Sequence, residues 1–133
     1  MKVVIDTRFF IEWFFTKDDS IKVKLKNKLD KIIRRNEGII PTIVLNEVMY
    51  IVCKRRGVEE AKIRYNSLLV SGLKIEELTN EIAELAGILK CKYSDIPMGD
   101  CIIAATAIKN KAKVLSDDDH FDGIEEVKRE WIQ

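Results

Sequence analysis

The sequence predicts an α/β domain, a single α/β/α sandwich over residues 1–133 with a central parallel sheet of four to five strands. Two observations predict it. Short β-branched runs at Lys2–Asp6, Ile39-Ile40, Leu73–Ile75 and Lys113–Leu115 alternate with stretches of helical periodicity. That alternation implies a parallel sheet covered on both faces. Four acids, Asp6, Glu47, Asp100 and Asp118, stand near strand-to-helix junctions or inside a helix with its own apolar pattern. In an open parallel sheet the carboxyl ends of the strands line one edge, and ligands bind there.

Lys2–Asp6 opens the chain as a short buried strand. Thr7–Phe15 reads as a helix with Phe9, Phe10, Ile11, Trp13, Phe14 and Phe15 on several faces. It needs cover on several faces, from the chain's own interior or from a partner surface. Asp18, Asp19 and Ser20 offer N-cap oxygens to a second helix. Its apolar positions Ile21, Leu25, Leu29 and Ile32 keep a helical period, and it ends near Gly38. Ile39-Ile40 is the second strand. Pro41 suits the junction into a third helix that Gly57 terminates. Val58–Ser71 is a fourth helix, with Glu59 and Glu60 at the positive end of its dipole. Leu73–Ile75 is the third strand. Thr79 caps a helix with Ile82, Leu85, Ala86 and Leu89 on one face, and Tyr93–Pro97 is a loop. Gly99–Asn110 is a helix whose Ala104, Ala105 and Ala107 let it lie close to a sheet. Lys113–Leu115 is the fourth strand, and Ile124–Ile132 is a candidate fifth.

A chain of 133 residues, 47% hydrophobic and 34% charged, is long enough to bury a core. The formal net charge of +1 shows no overall affinity for polyanions, but it averages two opposed regions. Residues 17–35 hold eight Lys or Arg against three Asp, whereas residues 117–130 hold seven acids against Lys128 and Arg129. No segment is long and apolar enough to span a membrane. The N-terminus shows no secretory pattern, because Asp6 and Arg8 interrupt the apolar run. Cys53, Cys91 and Cys101 have no paired spacing and there is one histidine, which argues against a disulfide framework or a zinc site. A reducing, cytoplasmic location is expected.

Carboxylates gathered at one sheet edge repel one another unless a cation sits between them. Mg²⁺ and Mn²⁺ favour oxygen ligands in octahedral geometry. Such an ion lowers the pKa of a bound water and clamps phosphate oxygens, while a nearby carboxylate orients the attacking water. The chemistry that fits is hydrolysis of a phosphodiester. Each acid alone also has a structural use. Asp6 can cap the helix that follows, Asp100 can complement a helix dipole, and Asp117–Asp119 can form a solvated turn. Glu47 can be a solvated helix residue, yet it falls between Val44, Val48 and Ile51, where an unpaired charge is costly. The joint case is stronger, since all four occupy positions that a doubly wound sheet brings to one edge.

Neighbouring residues carry two readings each. Thr7 and Ser116 either bond a carboxylate or a metal-bound water, or cap helix and turn ends. Arg8 meets a phosphate or forms a surface ion pair. His120 touches substrate or acts as an acid, or is an ordinary exposed loop histidine. Lys24, Lys28, Lys31 and Arg35 share one helix face, as a phosphate track or as a solvated surface. Lys54, Arg55 and Arg56 are a second such candidate, at the helix end that favours cations.

In this order and spacing, four segments resemble the PIN-domain ribonucleases, and among them the small VapC-type toxins. They are Val3-Val4-Ile5-Asp6-Thr7, Pro41–Val48, Ile96–Ala107 and Lys113–Phe121, so the resemblance spans essentially the whole chain. The resemblance implies a PIN-like α/β/α fold and an acidic Mg²⁺ or Mn²⁺ site that cleaves RNA. Its acids fall on Asp6, Glu47 and Asp100. A fourth belongs to a hydroxyl-x-acid-x-x-Phe pattern, which places it at Asp118, with Ser116 as hydroxyl and Phe121 as aromatic; Asp117 or Asp119 could share the role. Ser116 stands where the family often has Thr. The resemblance further implies a homodimer and an antitoxin protein bound beside the active site, for which an exposed Phe9–Phe15 helix would be a docking face. The competing readings are an RNA-processing nuclease without antitoxin and, from a different class, a non-catalytic α/β binding module with clustered acids. A phospho-acceptor module wants adjacent acids after the first strand and a late Lys, and neither is present here.

Overall fold

In the computed structural model, which describes residues 1–132, the chain runs β1 (Val3–Ile5), α1 (Thr7–Phe15), α2 (Asp19–Arg34), β2 (Gly38–Pro41) and α3 (Thr42–Arg56). It continues through α4 (Val58–Leu69), β3 (Lys74–Glu76), α5 (Asn80–Lys92), α6 (Met98–Lys109) and β4 (Lys113–Leu115). A 3₁₀ turn at Asp119–Gly123 leads to β5 (Arg129–Glu130). The strands form one parallel sheet in the order β3-β2-β1-β4-β5. This is the α/β arrangement the alternating pattern predicts, with five strands.

β1 is central and fully buried, as a strand covered on both faces must be. It pairs with β2 on one side and β4 on the other, so the winding direction reverses there. In register, Val3, Val4 and Ile5 face Lys113, Val114 and Leu115. The Asp6 N–H extends this ladder by one rung, donating to the Leu115 carbonyl at 3.1 Å. The first residues past β1 and β4, Asp6 and Ser116, therefore emerge side by side at the switch point, where doubly wound sheets hold ligands.

Most boundaries shift by one or two residues, and three depart further, each for a local reason. α2 stops at Arg34, and the reversal is made by Asn36 in the left-handed region (φ 54°). Asn tolerates that conformation better than most residues. Gly38 is not a helix terminator but the first residue of β2. A Cβ there would lie 2.3 Å from Leu73 Cδ2 and 2.6 Å from Ile32 Cγ2, so it permits α2 and the β3 lead-in to close on the strand. β5 keeps only two residues of the expected Ile124–Ile132, because Ile124 and Val127 are buried from an irregular segment rather than by strand alternation.

Helix α1 divides in its cover. Phe9 and Phe10 are fully buried, so the expected exposed docking face does not include them. Phe9 packs edge-to-face on Trp131, with ring centroids 5.9 Å apart. The half-buried Phe14 lies beneath the Arg64 guanidinium at 4.8 Å, and Phe15 beneath Arg55 at 4.8 Å and Arg56 at 5.5 Å. Cations from α3 and α4 thus cover rings that water would otherwise meet.

Candidate functional site

Asp6 leaves β1 with its side chain almost wholly buried, at 3% exposure. It occupies the N-cap position of α1, but its carboxylate caps no backbone N–H. Instead it accepts a hydrogen bond from the buried Ser116 hydroxyl at 2.7 Å. Ser116 Oγ in turn accepts the Asp118 N–H at 2.9 Å. One hydroxyl therefore joins the carboxyl ends of two adjacent strands. Asp118 then caps the 3₁₀ turn, accepting the His120 N–H at 2.9 Å, and Phe121 anchors that turn at zero exposure. The spacing of hydroxyl, acid and aromatic is thus a bend, a cap and an anchor.

Glu47 arrives from α3, one turn beyond its N-terminus. The Thr7 hydroxyl donates to Glu47 Oε1 at 2.7 Å. Glu47 Oε2 faces Gly99 at the start of α6, where a Cβ would stand only 3.2 Å away. The absence of a side chain at Gly99 thus leaves room for that carboxylate. Asp100, the next residue, is half-buried in the first turn of α6. Its Oδ2 lies 3.2 Å from His120 Nδ1, which is also 3.3 Å from Asp118 Oδ1. Ligand atoms of Asp100, Asp118 and His120 all lie within 4.8 Å of one another. Asp6 and Glu47 stand outside that group but act on it through space.

Burial pushes the Asp6 carboxyl up to about 6; the Ser116 hydrogen bond opposes this, and the charges of Asp100 and Glu47 add to it. Burial also raises Asp100, opposed by the His120 hydrogen bond and reinforced by Asp118 and Glu47. His120 is raised in turn by its bond to Asp100 and the charge of Asp118. Asp6 and Asp100, whose ionisation burial and neighbouring charge disfavour, stand with Glu47 and Asp118 as a donor set of hard oxygens, which fits Mg²⁺ or Mn²⁺.

The neighbouring acids are placed elsewhere. Asp117 turns outward and forms an ion pair with Arg8, whose Nη2 lies 3.3 Å from Oδ2. Asp119 is exposed. Of the three consecutive aspartates, Asp118 is the one beside Asp100. Arg8 and Asp117 line a groove of about 380 Å³ between α1 and α3, together with Thr7, Ile11, Phe15 and Arg55. The α2 stripe takes another course. Lys24 shares a hollow with Asp117, but Lys31 and Arg35 border Met1, Glu37 and Lys113 at the amino ends of the strands. Lys28 is held by Glu130 at 3.2 Å. The stripe thus runs down the flank of the sheet, away from the acids. His120 is the residue whose position sequence reasoning left undecided. The available signal was its place two residues after an acid and one before an aromatic, on a turn short enough to fold it back.

A parallel sheet with reversed winding at β1 and an acidic switch point define a PIN-type fold. The PIN domain family profile matches residues 3–127, and the chain belongs to the PIN domain family. No curated protein matches it in sequence. Among solved structures it is similar to VapBC2 from Rickettsia felis bound to a DNA fragment from its promoter (TM-score 0.82, 22% identity, 100% of both chains). It is also similar to DNA-bound VapBC from Salmonella typhimurium (TM-score 0.83, 17% identity, 100% of this chain and 99% of that one). A third is Mycobacterium tuberculosis VapC20, a sarcin-ricin loop cleaving toxin (TM-score 0.74, 17% identity, 95% and 98%). At these identities the likeness is one of fold.

Proposed function

We propose that this protein is a Mg²⁺- or Mn²⁺-dependent endoribonuclease, acting in the cytoplasm as the toxin of a toxin–antitoxin pair. The observation that carries the reading is the meeting of Asp6, Glu47, Asp100 and Asp118 at the switch point, with Asp6 pushed up to about 6. These residues would hold the metal directly or through its waters. When bound, the metal activates water and offsets charge on the phosphate. Ser116 fixes one Asp6 oxygen, so the other stays aimed. Thr7 fixes Glu47 Oε1, leaving Oε2 to orient the attacking water and accept its proton. Arg8 and Arg55 flank the groove beside the acids and offer charge to an RNA backbone.

The toxin role is supported by the relatives: VapC20 is a loop-cleaving toxin, and the R. felis and S. typhimurium structures are VapBC complexes. An antitoxin partner follows from that likeness. A homodimer is supported by exposed apolar residues on α3, on α4 and at its C-cap, including Tyr50, Val58, Ile63 and Val70. No helix among the described residues is long and apolar enough to cross a membrane. The test is incubation with structured RNA and Mn²⁺, with and without EDTA, mapping the cut ends. Chelator-sensitive cleavage that Asp6→Asn and Asp100→Asn each abolish supports the reading. Cleavage that survives both substitutions, or that ignores EDTA, overturns it. Growth arrest relieved by a neighbouring small gene identifies the toxin role, and expression without arrest rejects it.

A further inference from the structure

The acids account for most of the site, but one member of its tightest group is not an acid. His120 is half-exposed (49% for its side chain), yet its backbone is held on both sides. Its own N–H is bonded to Asp118, and the next residue, Phe121, is buried in the core. This double tether brings Nδ1 to 3.2 Å from Asp100 Oδ2 and 3.3 Å from Asp118 Oδ1. Neighbouring ligands on an octahedral ion with bonds of about 2.1 Å lie about 3 Å apart. The two separations from Nδ1 therefore match neighbouring positions of a coordination shell, and the ligand atoms of Asp100 and Asp118 lie within 4.8 Å of each other.

We propose that His120 is itself a metal ligand, so that the inner set is two carboxylates and an imidazole and the site prefers Mn²⁺ to Mg²⁺. The inference rests on the metal-site reading above and deepens it. Imidazole nitrogen is a softer donor than carboxylate oxygen and favours first-row transition ions. Mg²⁺ is hard, prefers oxygen and gives up its waters reluctantly. The competing account is that an imidazolium only neutralises Asp100 and Asp118 and leaves when a cation enters.

The chain contains a single histidine, which makes the test direct. Mn²⁺ alone is added to the metal-free, tag-free full chain, and pulsed electron paramagnetic resonance reads nitrogen coupled to the ion. Imidazole ¹⁴N modulation is expected in the native chain and absent in His120→Gln. Isothermal titration with Mn²⁺ and with Mg²⁺ should show Mn²⁺ affinity falling about tenfold or more in that variant. Mg²⁺ affinity should change far less. Bound Mn²⁺ without nitrogen coupling overturns the proposal, as does an unchanged Mn²⁺-to-Mg²⁺ preference in His120→Gln. Asp100→Asn separates the two readings. If it loses Mn²⁺ while the native ion shows no nitrogen, the acidic site stands and the His120 ligand falls. If the native chain binds no Mn²⁺, both fall.

Discussion

The two ends of the one sheet treat charge in opposite ways. At the amino end cations outnumber acids: the Met1 amino group pairs with Glu37, and Lys31 and Arg35 lie close enough to help hold Glu37 ionised. At the carboxyl end Asp6, Glu47, Asp100 and Asp118 gather, and His120 is the basic side chain set among them, beside Asp100 and Asp118. The strands and their spacing are the same at both ends. What differs is that the acid at the amino end is ringed by cations, while the carboxyl end sets carboxylate against carboxylate. A fold keeps such an imbalance where a ligand supplies the missing charge.

The largest expected effect breaks that asymmetry directly. Asp100→Asn should lower Mn²⁺-supported RNA cleavage by about a thousandfold or more, the scale of losing a group that acts on developing charge. Lys31→Gln at the amino end should change the rate by less than about twofold, since surface charges away from a site contribute little. Initial rates on one labelled RNA at fixed salt measure both. Equal losses in the two variants would mean that activity does not depend specially on the acidic edge.

The next effect is on stability, in chain stripped of metal. The Asp6 carboxyl rises from 3.8 to about 6 on folding. Between those values the native state holds a proton that the unfolded chain has released. The stability that Asp6 contributes therefore falls as pH rises from about 4 to about 6 and stays lower above that window. The raised carboxyl of Asp100 acts with the same sign. Two pKa units correspond to about 3 kcal/mol, so Asp6→Asn should stabilise the metal-free chain at pH 7 by about 1–3 kcal/mol. Urea unfolding at pH 4 and pH 7 reads this. Saturating Mn²⁺ should stabilise the native chain at pH 7 and do much less for the variant. A metal-free native chain that loses no stability relative to Asp6→Asn between pH 4 and pH 7 would contradict the raised Asp6 carboxyl.

The contrast between the ends was only half legible in the sequence. Strands β1 and β4 were readable because their residues are apolar on both faces, and burial on both faces is a composition signal. The positions of Asp6 and Asp100 followed, since each lies one or a few residues from an element boundary. Gly38 misled because a glycine after a helix usually ends it; here its role is set by Leu73 and Ile32, one of them distant in sequence. The α2 stripe was readable as a face, but helical spacing does not say toward which end of the sheet the face runs. His120 was readable only as a residue type. Its direction depends on a cap at Asp118 and an anchor at Phe121, and these act together only once the sheet is formed. Asp118 was singled out from its neighbours by the resemblance to a hydroxyl-x-acid pattern. The Ser116–Asp118 hydrogen bond supplies the physical reason for that spacing.

Ser116 sharpens the comparison furthest, because it touches no metal-binding atom except through Asp6. Its hydroxyl donates to Asp6 and accepts from the Asp118 backbone, so it sets the separation of two acids. Ser116→Ala removes both bonds and leaves a buried carboxylate oxygen without its donor. Asp6 should then be harder to ionise, and cleavage should fall about tenfold, the scale of losing a group behind a ligand. The rise of activity with pH should also move to higher pH. Ser116→Thr keeps the hydroxyl and should restore both rate and profile if the added methyl finds room. A purely structural role would lower rate and stability together and leave the midpoint of the pH profile unmoved. A shifted midpoint in Ser116→Ala that Ser116→Thr reverses would show that the hydroxyl acts by holding Asp6 charged.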